Sequence, residues 1–141
     1  MSGNTFDNNT AASLIAAGSM VGAGQVLTAC SNSFNYNMPQ AGSKYNAAIN
    51  VLQTATNPYP KYDTIVCDSS FTHNSVPSVA VNRFQSVLIN NNTFEENNAY
   101  SLILDSVNAE ALAAPRVATV SANEFSEYAS RAHSPHRCAI A

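Results

Sequence analysis

The chain has 141 residues, of which 45% are hydrophobic and only 11% are charged. This length suits one domain with a substantial core, and the hydrophobic fraction excludes a disordered chain. The charged fraction lies well below the quarter that is typical of soluble domains. Asparagine clusters, such as the three at residues 90–92, take the place of charge.

The net charge is −3, and the six lysines and arginines are scattered along the chain. Proteins that bind nucleic acids concentrate positive charge where they contact phosphates, so we expect no nucleic-acid partner. No apolar stretch is long enough to form a membrane-spanning helix, so we expect no membrane span.

The three cysteines, Cys30, Cys67 and Cys138, match no metal-ligand spacing. Because a free cysteine behaves as a small hydrophobic residue, we expect Cys30 and Cys67 to be buried and unpaired. His133 and His136 stand three residues apart without further ligands nearby in the sequence. We therefore expect no metal ion and no cofactor, and the cysteine count leaves the compartment open.

An internal repeat organises the chain. Five segments share the pattern Asn-x-Phe-x-x-Asn, with Ser69 replacing the first asparagine once and Tyr128 the last asparagine once. In chain order they span 4–9, 32–37, 69–74, 92–97 and 123–128. Short β-prone runs precede four of them, at 26–29, 64–67, 86–89 and 118–121, and follow four of them, at 12–16, 47–52, 78–84 and 100–104.

The spacing of the repeat predicts a solenoid. Phe71 and Phe94 are 23 residues apart, about one turn of a β-solenoid. The longer intervals carry extra residues in turn-rich loops, at 38–45, 54–63 and 107–115. We predict a single all-β domain over 1–141, a parallel β-helix of about five coils with irregular ends near 1–9 and 130–141. Residues 108–114 are the one candidate helix.

Equivalent positions of successive coils stack about 4.8 Å apart in such a fold. The repeated phenylalanines are therefore predicted to form one internal aromatic stack: Phe34, Phe71, Phe94 and Phe125. The repeated asparagines are predicted to occupy equivalent bends and to form an amide ladder: Asn32, Asn92 and Asn123, with Asn4 as a frayed first member. Asparagine tolerates the left-handed backbone of a bend, and its amide can bond the next coil.

The segment 87–97, Val-Leu-Ile-Asn-Asn-Asn-Thr-Phe-Glu-Glu-Asn, precedes Ser-Leu-Ile-Leu at 101–104. It resembles the repeat of the pectate-lyase-like right-handed parallel β-helix superfamily. It is also similar to the Phe-x-x-Asn repeats of polymorphic outer membrane proteins, although their companion Gly-Gly-Ala-Ile motif is missing here. The resemblance covers nearly the whole chain and implies a right-handed parallel β-helix, but it is specific for fold and weak for function.

Enzymes of that superfamily cleave or epimerise acidic polysaccharides. The resemblance implies clustered aspartates with Gly-His-Gly for the hydrolases, and these are missing here. For the lyases it implies calcium held by carboxylates and a basic residue, for which Arg83 and Asp105 are the candidates. The alternative is a solvated ion pair on the wall of the solenoid. Asp68 is predicted to accept turn hydrogen bonds, and His73 to be an exposed loop residue.

Tyrosines cluster in or beside the two largest insertions. Tyr45, Tyr59 and Tyr62 are candidate ligand-binding residues, because aromatic rings on proline-stiffened loops can stack against sugar rings. The alternative is that these rings only pack the loops onto the solenoid wall.

Both ends of the repeat array lack a recognisable cap, and uncapped coils expose unpaired strand edges. We therefore predict a non-enzymatic surface or extracellular module, such as an adhesin, spike or fibre segment. Its loops would bind polysaccharide, and its open ends would associate with a second copy or a neighbouring solenoid segment. Two alternatives remain: a fragment of a polysaccharide lyase or related carbohydrate-active enzyme, and a spacer that is purely structural.

Overall fold

A computed structural model of the chain describes residues 1–10, 12–18, 25–43, 46–53, 62–82, 86–105 and 117–126. All regular secondary structure within these ranges is β, in thirteen strands. The candidate helix at 108–114 lies outside the described residues.

In chain order the strands are β1 (Thr5–Asp7), β2 (Leu14–Gly18), β3 (Gln25–Cys30), β4 (Ser33–Asn35), β5 (Ile49–Gln53), β6 (Tyr62–Cys67), β7 (Ser70–Thr72), β8 (Val79–Asn82), β9 (Ser86–Asn90), β10 (Thr93–Glu95), β11 (Leu102–Asp105), β12 (Val117–Ser121) and β13 (Glu124–Ser126). They form three parallel sheets. The phenylalanine sheet has the order β1-β4-β7-β10-β13, the cysteine sheet β3-β6-β9-β12, and the third sheet β2-β5-β8-β11.

The chain visits the three sheets in turn, and each strand pairs in parallel with its equivalent in the next repeat. This confirms an all-β, parallel solenoid fold. In the longer strands, buried residues alternate with partly exposed ones: Val87 and Ile89 of β9 are buried, as are Val79 and Val81 of β8. Alternation with period two directs one set of side chains inward, and branched residues suit the pleated surface.

The phenylalanines form one column along the interior. Phe6, Phe34, Phe71, Phe94 and Phe125 pair in register, with ring centroids 4.8–4.9 Å apart and ring planes within 8° of parallel. Phe34, Phe71 and Phe94 are buried. The prediction that Phe125 lies inside is wrong: it is 47% exposed, because no ring covers its other face among the described residues.

Left-handed backbone recurs through the repeats at two bends, one on each side of the phenylalanine strand. The first bend is formed by Gly3, Ser31, Asp68, Asn91 and Ala122, and the second bend by Asn8, Tyr36, His73 and Glu96. Their φ angles lie between 50° and 70°. The repeated asparagines Asn32, Asn92 and Asn123 were predicted to supply this conformation, but the residue before each of them does so. The asparagine itself is thereby left to bond the neighbouring repeat.

The first ladder runs beside the first bend, through Asn4, Asn32, Ser69, Asn92 and Asn123. Asn92 donates from Nδ2 to Asn123 Oδ1 at 3.0 Å, and the Ser69 amide donates to Asn92 Oδ1 at 3.0 Å. Asn4, predicted to be frayed, donates from both its amide and Nδ2 to Asn32 Oδ1. Asn92 is 1% exposed, so its polar atoms depend on these bonds.

The second ladder runs beside the second bend, through Asn9, Asn37, Asn74 and Asn97. Successive Nδ2-to-Oδ1 distances are 3.0, 2.8 and 3.1 Å. Asn37 and Asn74 are fully buried. Sequence reasoning did not single out this ladder, although its members are the last asparagine of four repeats.

A disulfide joins Cys30 and Cys67, so the expectation that both are unpaired is wrong. The two residues are register partners at the ends of β3 and β6, with Cα atoms 4.5 Å apart. This separation suits a disulfide. Parallel pairing brings together two cysteines that are 37 residues apart in sequence. Cys138 lies outside the described residues.

The end expected to be irregular near 1–9 contains ordered structure. Strand β1 pairs in register with β4, and Ser2 forms a parallel bridge with Cys30. Residues 130–141 lie outside the described residues.

Replacing Phe94 by alanine is expected to lower the free energy of unfolding by about 3–5 kcal/mol, because a ring stacked on both faces is lost from the core. Denaturant-induced unfolding measures the loss. Phe125→Ala is the matched control and should cost less, since Phe125 already meets water. Equal losses in the two variants would contradict the described difference in burial.

Replacing Asn92 by alanine is expected to lower the free energy of unfolding by about 1–3 kcal/mol, because buried hydrogen-bonding groups lose their partner. Asn98→Ala is the control, since Asn98 is exposed and should shift stability by no more than about 0.5 kcal/mol. Thermal melts of both variants make the comparison. A wild-type melting temperature for Asn92→Ala would show that the first ladder does not stabilise the fold.

Candidate functional site

The residues predicted for ligand binding and catalysis fall mostly outside the described part of the chain. Tyr45, Tyr59 and Arg83 lie outside it entirely. Tyr62 begins β6 and Asp105 ends β11, but only their backbone is described. Strand pairing sets Asp105 opposite Asn82, the residue before Arg83. The chemistry suggested for these five residues therefore stays a prediction.

The described residues contain neither a metal-binding cluster nor a membrane-spanning helix. Within those ranges, no group of three or more His, Cys, Asp or Glu side chains converges to hold a metal ion. No helix there is long and apolar enough to cross a membrane.

The outer face of the phenylalanine sheet carries two polar columns, because the residues on either side of each buried phenylalanine face outward. The hydroxyl column consists of Thr5, Ser33, Ser70 and Thr93, and it continues into Glu124. The mixed column consists of Asp7, Asn35, Thr72, Glu95 and Ser126. The repeat alignment contained this signal, since the residue before each phenylalanine is Thr or Ser in four repeats.

Neighbouring members of these columns bond to one another. Ser70 Oγ donates to Ser33 Oγ at 3.2 Å, and Thr72 Oγ1 donates to Asn35 Oδ1 at 2.6 Å. Thr5 and Thr93 have no such side-chain bond within the described residues. The outer face is therefore an array of hydroxyls and amides with carboxylates at Asp7, Glu95 and Glu124, and the hydroxyls of Thr5 and Thr93 have no partner among the described residues.

A shallow polar depression of about 510 Å³ lies between the hydroxyl column and the first bend. Asp68 forms part of its lining, and Asp68 Oδ1 accepts a hydrogen bond of 2.8 Å from Asn91 Nδ2. At Gly3, which also lines it, an added Cβ would meet nothing within 4 Å, so this side is open. Its described lining holds no aromatic ring and no cationic side chain. These groups suit a neutral, hydroxyl-rich ligand better than an anion.

The side chains at the second bend form a packed cluster. The rings of Tyr36 and His73 stack with centroids 4.7 Å apart, and His73 Nε2 lies 2.6 Å from Glu96 Oε2. His73 lies at a bend, as predicted for a loop residue, but it is only partly exposed and is paired with Glu96. His73 covers one face of the Tyr36 ring, and Tyr36 remains 49% exposed.

The two ends of the phenylalanine sheet are also candidate sites. Strand β1 pairs only with β4, and β13 pairs only with β10, within the described residues. All three residues of β13 are exposed, and so is Val117 of the neighbouring β12. Unpaired strand edges present backbone groups that another strand can bond. The described geometry therefore contains a polar depression on one face and open strand edges at the ends.

Comparison with protein-family models, with curated proteins and with solved structures finds no match to this chain.

Proposed function

We propose that the chain is a non-enzymatic β-helix module of five right-handed coils, acting at a surface or outside the cell as a rigid segment of a spike, fibre or adhesin. Its open ends associate with further β-strands, from a second copy or from a neighbouring solenoid segment. The observation that supports this most is the end of the phenylalanine stack. Phe125 stacks on Phe94 through one face and is 47% exposed. An exposed aromatic ring on an edge strand favours association.

The rigidity of the module follows from its internal bonding. The two ladders flank the phenylalanine stack and join each repeat to the next through side-chain amides. Buried amides with complete bonding resist local opening, because any separation of the repeats leaves polar groups unpaired. Such a body suits a spacer or a display scaffold.

The disulfide supports placement outside the cytosol. Structural disulfides persist in oxidising compartments and are rare where thiols are kept reduced. The Cys30–Cys67 bond joins the edges of two neighbouring repeats. This bond supports a surface or extracellular location.

Light scattering over a dilution series tests the proposed association. The apparent mass is expected to rise with concentration above the 14.9 kDa of one chain, because open edges pair. Phe125→Lys should reduce association, since charge on an edge strand opposes pairing. Met38→Lys is the control, because Met38 is also 47% exposed but lies on the second repeat, bridged to Thr10, and not on an edge strand. A mass of 14.9 kDa at every concentration would contradict the proposal.

A second candidate function, binding of a neutral glycan, is favoured by the polar depression. Its hydroxyl groups repeat about every 4.8 Å, as strands do, and match a ligand that presents hydroxyls along its length. Asp68 can accept charge-assisted hydrogen bonds from sugar hydroxyls. The described lining lacks a cation to balance uronic acids.

Titration with neutral oligosaccharides, monitored by NMR, tests glycan binding. Asp68→Asn keeps the size of the side chain and a left-handed backbone that asparagine tolerates. It should weaken binding about tenfold, equivalent to about 1.4 kcal/mol for a charge-assisted bond. Asp7→Asn, on the mixed column of the same sheet, should leave affinity unchanged. Equal binding of wild type and Asp68→Asn, or preference for oligouronates, would contradict this assignment.

A further inference from the structure

In the first ladder, the hydrogen bonds from each backbone amide to the side chain of the next member all run in one direction. The Asn4 amide donates to Asn32 Oδ1, the Asn32 amide to Ser69 Oγ, and the Ser69 amide to Asn92 Oδ1. The Asn92 amide donates in the same direction to Asn123 Oδ1 at 2.9 Å. Each interior member thus donates its backbone amide to the following repeat and accepts at its side-chain oxygen from the preceding one. A ladder of this kind has two chemically different ends.

Those two ends are complementary. At the β1 end, Asn4 Oδ1 accepts no hydrogen bond from the described residues. At the β13 end, Asn123 Nδ2 donates one proton to Ile89 O at 2.8 Å, while its second proton and the Asn123 amide have no acceptor in the same ranges. One end therefore offers an acceptor, and the other offers two donors at the equivalent position.

The backbone shows the same complementarity. In the described repeats, the residue before each phenylalanine donates its amide to the ladder residue of the preceding repeat, as Glu124 does to Asn92 O at 2.9 Å. At the β1 end the Thr5 amide has no such acceptor among the described residues. At the β13 end the Asn123 carbonyl has no such donor there.

The aromatic stack has matching open faces. Phe6 stacks on Phe34 at 4.8 Å through one face, and Phe125 stacks on Phe94 at 4.9 Å through one face. A ring from another chain placed at the same spacing would continue the column. The open ring faces and the unpaired ladder groups are thus both satisfied by one added strand in one register.

We propose that the partner at the open end is a second copy of this chain, added head to tail. Strand β1 of the second copy pairs in parallel with β13 of the first, so that Phe6 covers Phe125 and Asn4 Oδ1 accepts from Asn123. This inference rests on the proposed function and names its partner. The contact joins two different surfaces, so it repeats and builds a filament. A head-to-head contact would set Asn4 Oδ1 against Asn4 Oδ1, with no donor at the ladder position.

The cysteine sheet provides a way to test direction and register together. One column of register partners there runs Ser2, Cys30, Cys67, Asn90 and Ser121. The native disulfide shows that cysteines at neighbouring positions of this column can bond. At the proposed junction, Ser121 of one copy is followed by Ser2 of the next. Cysteines at these two positions should therefore form a disulfide between chains.

The experiment mixes a Ser2→Cys protein with a Ser121→Cys protein under mild oxidation, with Cys138→Ser in every protein. Non-reducing electrophoresis and mass spectrometry should find the mixed disulfide, which joins position 2 of one chain to position 121 of the other, at least tenfold more abundant than either like pair. A protein carrying both substitutions should form a series of linked multimers. Ser75→Cys, at an exposed position between the ends, replaces Ser2→Cys in the control mixture and should cross-link poorly.

Equal yields from like pairs, or from the Ser75→Cys mixture, would overturn the head-to-tail junction. If light scattering still showed concentration-dependent association, the proposed function would stand and only this inference would fail. A mass of one chain at every concentration in light scattering would contradict both the proposed function and the head-to-tail junction.

Discussion

In-register parallel pairing is the constraint on which the other features of this structure depend. When successive repeats stack about 4.8 Å apart without slipping, each side chain faces the residue at the same position of the next repeat. Phenylalanine then stacks on phenylalanine, and asparagine bonds asparagine. A slip of one residue would turn the phenylalanines outward and separate both ladders. The ladders and the phenylalanine stack therefore stabilise the same pairing register.

The ladders explain why a chain with few charged residues can carry so many asparagines, including buried ones. Asparagine can be buried at low cost only if its amide donates and accepts, and a ladder provides both bonds to every interior member. Asn37 and Asn74 are fully buried and bonded in this way. The ladders also give the solenoid a direction, which a stack of symmetric rings does not have. That direction makes the two ends of the phenylalanine sheet different surfaces.

The outer faces of the sheets are under weaker constraint than the interior. Residues beside the phenylalanines must only fit a strand and meet water, so that face can carry hydroxyls, amides or carboxylates. In this chain it carries the hydroxyl column and the depression beside Asp68. Because interior contacts stabilise the scaffold, the outer face of the phenylalanine sheet is available for recognition and the ends are available for assembly.

The sequence alone predicts the parallel solenoid and the alignment of Phe34, Phe71 and Phe94, because the repeat is visible along a single chain. It also identifies Asn32, Asn92 and Asn123 as equivalent positions. Only the tertiary structure decides that Ser31, Asp68 and Asn91 take the left-handed conformation, that Cys30 bonds Cys67, and that Phe125 is half exposed. The physical reason is that these features depend on which residues of separate repeats face each other across strands. Cys30 and Cys67 each stand four residues before a repeat phenylalanine, so the sequence aligns them, but only the distance between the paired strands shows that they bond.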